Sequence, residues 1–178
     1  MNKKTIMAVA LCGMLAAMAV VYAAFQTTLT VTGTTTQSGS FGLVIFAEAG
    51  SVTGTAGLTG GKAPTATCQP IETAASSSTT ATMAAKLYQP GDTVTCSYKV
   101  KNVGTLKAKA NGNYSCSPTS LASPFSSSVT WKKSALAAGA TSASGEVTMT
   151  ITYLSSITSQ PSTTSASITC NFPYTQDI

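Results

Sequence analysis

The chain of 178 residues contains no histidine and no arginine, and only five acidic side chains. Each absence excludes chemistry. Without histidine there is no Ser-His-Asp triad and no Cys-His pair, and the usual ligand sets of zinc hydrolases are missing. The carboxylates Glu48, Glu72, Asp92, Glu146 and Asp177 are widely spaced. Nothing in the sequence pairs two of them as a glycosidase requires. Each is expected to be a turn or surface residue, with Asp92 a turn former rather than a base. Nucleic-acid binding calls for a dense basic patch, usually bearing arginine and interleaved aromatics, whereas the lysines here are scattered apart from Lys99/Lys101, Lys107/Lys109 and Lys132-Lys133. No glycine-rich phosphate loop precedes a helix. The expectation is a protein that is not an enzyme, with no cofactor, no metal and no nucleic-acid partner.

What is present begins at the amino terminus. Met1-Asn2-Lys3-Lys4 is followed by an apolar segment from Thr5 to Tyr22. A basic start and an apolar middle make an export signal, and Val21-Tyr22-Ala23 supplies small or compact residues where a signal peptidase reads. The expected cut falls between Ala23 and Ala24, so residues 1–23 form a cleavable signal helix. Cys12 is not a lipid-attachment cysteine, because Leu11 stands where a small residue is needed. Retention as an anchor is the alternative, since Thr5 to Phe25 is about the 20 residues that span a bilayer. Membrane contact is expected only through this segment, before cleavage.

Removal of 23 residues from 178 leaves 155, enough for one domain that buries roughly two thirds of its unfolded surface. The formal charge falls from +5 to +3 with loss of Lys3 and Lys4. Four cysteines remain, Cys68, Cys96, Cys116 and Cys170, at spacings of 28, 20 and 54 residues. In an exported chain they suggest two disulfides with three possible pairings. A four-cysteine zinc site is the weaker alternative, as no two form a C-x2-C knuckle.

The rest of the chain carries strand patterns. Residues 24–32 alternate with period two and place Phe25, Leu29 and Val31 on one face. Phe41 to Phe46 is a short apolar run of the kind buried on both faces. Strands are further expected over Ala66–Ile71, Ser76–Leu87, Thr93–Val100, Leu106–Tyr114, Ser128–Lys132, Gly145–Leu154 and Ser165–Tyr174, with Ser117–Ser127 a loop. Pro90-Gly91-Asp92 is a turn: Pro presets φ, Gly accepts positive φ and Asp can bond its own backbone. Short strands with Gly/Pro turns between them predict an all-β, antiparallel β-sandwich over residues 24–178.

Two modification patterns stand out by residue type. Asn113-Tyr114-Ser115 satisfies the N-x-Ser/Thr acceptor rule. Lys99, Lys101 and Asn102 are of the types that form Lys–Asn crosslinks, but the simpler expectation is exposed polar residues at a strand end.

A set of short motifs runs the length of the chain: Tyr22-Ala23-Ala24-Phe25, then Leu87-Tyr88-Gln89-Pro90-Gly91-Asp92, Lys101-Asn102-Val103-Gly104-Thr105 and the closing Tyr174-Thr175-Gln176. In these the chain resembles the TasA/camelysin family of secreted biofilm-matrix fibre subunits, including related archaeal bundling pilins. It departs from that family in its low charge and its four cysteines. The resemblance implies a jelly-roll-like sandwich and assembly by donor-strand exchange, in which Ala24 to Thr32 completes a neighbour's sheet with Phe25, Leu29 and Val31 in its pockets. A head-to-tail contact that does not close makes a filament, so the expected partner is the chain itself and the expected location is outside the cell. The alternative is a monomeric cell-surface adhesive domain binding a glycan or protein.

Overall fold

The computed structural model describes residues 39–49, 52–57, 61–72, 78–157 and 164–177. The expected signal 1–23 with its cut at Ala23/Ala24, and the expected donor segment 24–32 with Phe25, Leu29 and Val31, lie outside the described residues. The chain divides into two units, Met1–Gln37 and Ser38–Ile178. All of the described residues belong to the second unit.

They form eleven strands: β1 Leu43–Ala47, β2 Thr53–Thr55, β3 Thr65–Gln69, β4 Thr80–Lys86, β5 Thr93–Asn102, β6 Ala108–Ala110, β7 Ser115–Ser117, β8 Phe125–Trp131, β9 Val147–Tyr153, β10 Ser165–Asn171 and β11 Tyr174–Gln176. One sheet runs β1-β5-β9-β8, with β2 also pairing β5. A second runs β3-β4-β10-β7, and β11 pairs β6 in a small third. Every ladder is antiparallel. There is no α-helix among the described residues.

Alternation explains the packing. On β5, Val94, Cys96, Tyr98 and Val100 are buried, and on β9 so are Val147, Met149, Ile151 and Tyr153. Burial of one such Val or Ile is worth about 1.5–3 kcal/mol. From the second sheet, Met83, Ala85, Ile168 and Cys170 join the same core. Covalent and polar ties cross between the sheets. Cys68 of β3 is disulfide-bonded to Cys96 of β5, and the Tyr98 hydroxyl donates to the Thr82 carbonyl at 2.8 Å. The other disulfide, Cys116–Cys170, joins directly opposed residues of β7 and β10 within the second sheet.

The outward face of the first sheet is built from hydroxyls. Thr55, Thr93, Thr152 and Ser126 stand in one cross-strand row, and Thr53, Thr95, Thr150 and Ser128 in the next. Ser97, Thr148 and Thr130 make a third row. Neighbouring hydroxyls bond to one another, Thr95 to Thr150 at 3.0 Å and Thr93 to Thr152 at 3.3 Å.

Several strand expectations are corrected. The closing strand is not continuous to Tyr174: β10 ends at Asn171 and Pro173, which has no N–H for a ladder, separates it from β11 in another sheet. The return over Leu106–Tyr114 shrinks to Ala108–Ala110, whose partner is β11. The loop expected over Ser117–Ser127 gives way at Phe125, where β8 begins against Tyr153. In the apolar run, Leu43 to Phe46 lies in β1, but Phe41 precedes the strand and is 45% exposed.

Candidate functional site

The chain enters the sandwich-like unit through a clasp. Asn102, expected at an exposed strand end, is fully buried instead. Its Nδ2 faces the carbonyls of Leu106, Ala137 and Leu136 at 2.7, 3.1 and 3.3 Å, and its Oδ1 accepts from the Gly104 N–H at 2.9 Å. This shapes a turn over residues 102–105 that grips the incoming backbone. Val103 and Gly104 donate to the Gly42 carbonyl, Thr105 donates to the Ser40 carbonyl, and the Ser40 N–H donates to Thr105 Oγ1. Gly104 is required there, because a Cβ would lie 2.3 Å from the Ser40 oxygen. The Lys101-Asn102-Val103-Gly104-Thr105 motif is therefore the anchor of the segment leading into β1. Exposed Phe41 and Val103 flank it. An open depression of about 360 Å³ adjoins it, lined by Phe41, Leu43, Ser78, Asn171, Pro173 and Tyr174 among others.

With its carboxamide bonded at both ends, Asn102 is committed to the turn. Lys99 lies 3.5 Å from Glu48. Neither residue is arranged for a crosslink with the other.

Sheet edges are the second feature, because an unpaired edge offers a row of N–H and C=O groups to another strand. The outer edge of β1 is engaged: Ile45 donates to the Ser78 carbonyl and Ala47 to the Pro70 carbonyl. Among the described residues, β8, β3 and β7 end their sheets with no ladder on the outer side. Since β7 meets β10 only at Thr169–Asn171, the stretch Ser165–Ile168 is paired on its β4 side alone.

Four of the five carboxylates, Asp92, Glu146, Glu48 and Asp177, are engaged in hydrogen bonds or ion pairs. Asp92 forms its turn as expected but is fully buried, accepting from Gly57, Tyr88 and Gln89 N–H groups at 2.8, 2.7 and 3.0 Å. Gly57 allows that approach, as its Cβ would collide with the Pro90 carbonyl 2.1 Å away. Glu146, expected at the surface, is also fully buried. It accepts from the Ser134 N–H and hydroxyl at 2.8 and 2.6 Å and from the Tyr174 hydroxyl at 3.2 Å. Trp131 Nε1 donates to that same hydroxyl at 3.1 Å. Burial pushes the Tyr174 phenol well up, the adjoining Glu146 carboxylate adds to this, and the Trp131 bond opposes it. Burial likewise raises Tyr98. Burial works to raise Glu48, but bonds from Gly145 and Ser144 together with Lys99 outweigh it and hold the carboxyl below its ordinary value. Asp177, half-buried, is lowered by its hydrogen bond and ion pair with Lys109 at 2.9 Å.

The four cysteines beyond residue 23 thus serve as Cys68–Cys96 and Cys116–Cys170. Among the described residues no three His, Cys, Asp or Glu side chains gather as a metal site, and no helix is long and apolar enough to cross a membrane. Asn102 and Glu146 are the structural residues the sequence reading missed. The available signal for Asn102 was its place between a strand and Val103-Gly104. Comparisons with family models, with curated proteins and with solved structures find no match to this chain.

Proposed function

We propose that the chain is an exported structural subunit, a jelly-roll-like domain that polymerises head to tail into extracellular fibres or pili by donating residues 24–32 to its neighbour. The observation that carries this reading is the clasp at Ser40–Gly42. The described core begins at Leu43, so the alternating segment 24–32 lies upstream of a backbone already pinned by the 102–105 turn. The six residues 33–38 separate the two in sequence, and six residues of fully extended chain span about 20 Å. Donor-strand assembly also needs an acceptor edge, and the outer side of Ser165–Ile168 supplies main chain for it. The two disulfides are compatible with an oxidising, extracellular setting. The motif resemblance to the TasA/camelysin fibre subunits points the same way.

Negative-stain microscopy of the protein starting at Ala24, beside a version lacking residues 24–32, tests the reading. Filaments from the first and a folded, non-polymerising domain from the second are expected. Filaments that persist in the truncation exclude the donor role. If neither version forms filaments, the adhesive monomer becomes the better description.

A further inference from the structure

Asn113-Tyr114-Ser115 is the single N-x-Ser/Thr triplet of the chain, and none of the roles described above uses it. The structure places it at a turn between β6 and β7, where Gly112 adopts φ of 76° and residues 111–115 are all exposed. Lys133 holds the turn, donating from Nζ to the Gly112 carbonyl at 2.8 Å and to Asn113 Oδ1 at 3.2 Å. With Oδ1 tied, Nδ2 is the carboxamide atom left to solvent: no described residue accepts a hydrogen bond from it. Ser115 opens β7, the outermost strand of its sheet, so its hydroxyl is accessible beside an open edge.

Next to Asn113 lies an open depression of about 620 Å³ lined by Asn113, Tyr114, Val129, Thr130, Trp131 and Lys133. That volume is in the range of small-molecule clefts, roughly 300–1,000 Å³. Tyr114 is 40% exposed, and its ring is steadied by Phe172 at 5.8 Å between centroids. An aromatic face with an amide, a hydroxyl and an ammonium at its rim suits a pyranose, whose C–H face is apolar and whose edge is hydroxylated.

We propose that Asn113 is an N-glycosylation site, with the first sugar of the glycan seated over Tyr114 in this depression. In the transfer, Nδ2 attacks the anomeric carbon of a lipid-phosphate-linked sugar. The C–N bond forms as the bond from that carbon to the phosphate oxygen breaks, the lipid phosphate leaves, and the amide gives up one proton. The glycan would overlie the outer edge of β8 near Val129 and blunt it against unwanted strand pairing. The proposal rests on the export reading, since the transfer takes place on exported chains.

The test is glycopeptide mass spectrometry on protein recovered from the culture fluid or surface of its own cells, compared with Asn113→Gln, Ser115→Ala and Ser115→Thr made in the same cells. A sugar mass on the Asn113 peptide is expected in the parent and in Ser115→Thr, with complete loss in the other two. Thermal melting of each variant confirms that it is folded, as expected for exposed positions. Extracellular protein with a bare Asn113, or a sugar mass that survives Asn113→Gln, overturns the glycan while leaving export intact. Protein confined to the cell interior overturns both.

Discussion

Asp92 and Glu146 are both fully buried and each accepts three hydrogen bonds, yet their donors differ in kind. All three partners of Asp92 are backbone N–H groups, which can only donate. Two of the three partners of Glu146 are hydroxyls, which can donate or accept. Neither carboxylate has a cation within ion-pair distance among the described residues. A carboxylate facing only N–H groups is irreplaceable by its own amide. One facing hydroxyls can exchange an oxygen for an NH2 and have the network turn around.

The amide substitutions break or sharpen this contrast. Asp92→Asn has the largest expected effect. Its Oδ can keep the Tyr88 and Gln89 bonds, but its NH2 then confronts the Gly57 N–H and leaves that donor unpaired. The cost should be about 2–3 kcal/mol in urea denaturation. Tyr174→Phe comes next, at about 1–2 kcal/mol, because it strands the Trp131 N–H and removes one donor from Glu146. The same variant has a pH signature. A phenol with a raised folded value keeps its proton in the fold after the unfolded chain has lost it. Its contribution is therefore complete below the ordinary value of 10.0 and declines as the pH climbs past it. Parent stability should fall above pH 10, and less steeply in Tyr174→Phe, with Tyr98 left to act alone. Equal slopes would show that Tyr174 is not protected. Glu146→Gln is expected to cost least, about 1 kcal/mol or less, since the Ser134 hydroxyl can accept from the new NH2. If Glu146→Gln costs as much as Asp92→Asn, donor chemistry does not explain the difference.

The same pair shows what could be read from the sequence. Asp92 follows Pro-Gly, and the turn chemistry of those three residues identified its role, although not its burial, which depends on Gly57 arriving from 35 positions away. The burial of Glu146 was not legible. Val147, Met149, Ile151 and Tyr153 face inward, so residue 146 should face out with Thr148. Gly145 breaks the parity with φ of 63°, which turns Glu146 inward towards Ser134. The long strands β5 and β9 were legible because ten and seven alternating residues leave little choice of face. The three-residue strands β6, β7 and β11 were not, because their pairing is decided by contacts far away in sequence. The clasp around Asn102 belongs to the same class. Its motif was visible, but its grip on Ser40–Gly42 spans about sixty residues.

The hydroxyl rows on the first sheet carry a different consequence. Thr and Ser do not titrate in the range where proteins work, and the rows from Thr93 to Ser97 and their neighbours hold no charge. Counter-ions therefore have nothing there to screen. A contact made through that face involves no charge of this chain for salt to screen, whereas one made to an acidic partner through the lysine-bearing end of β5 weakens as salt is added.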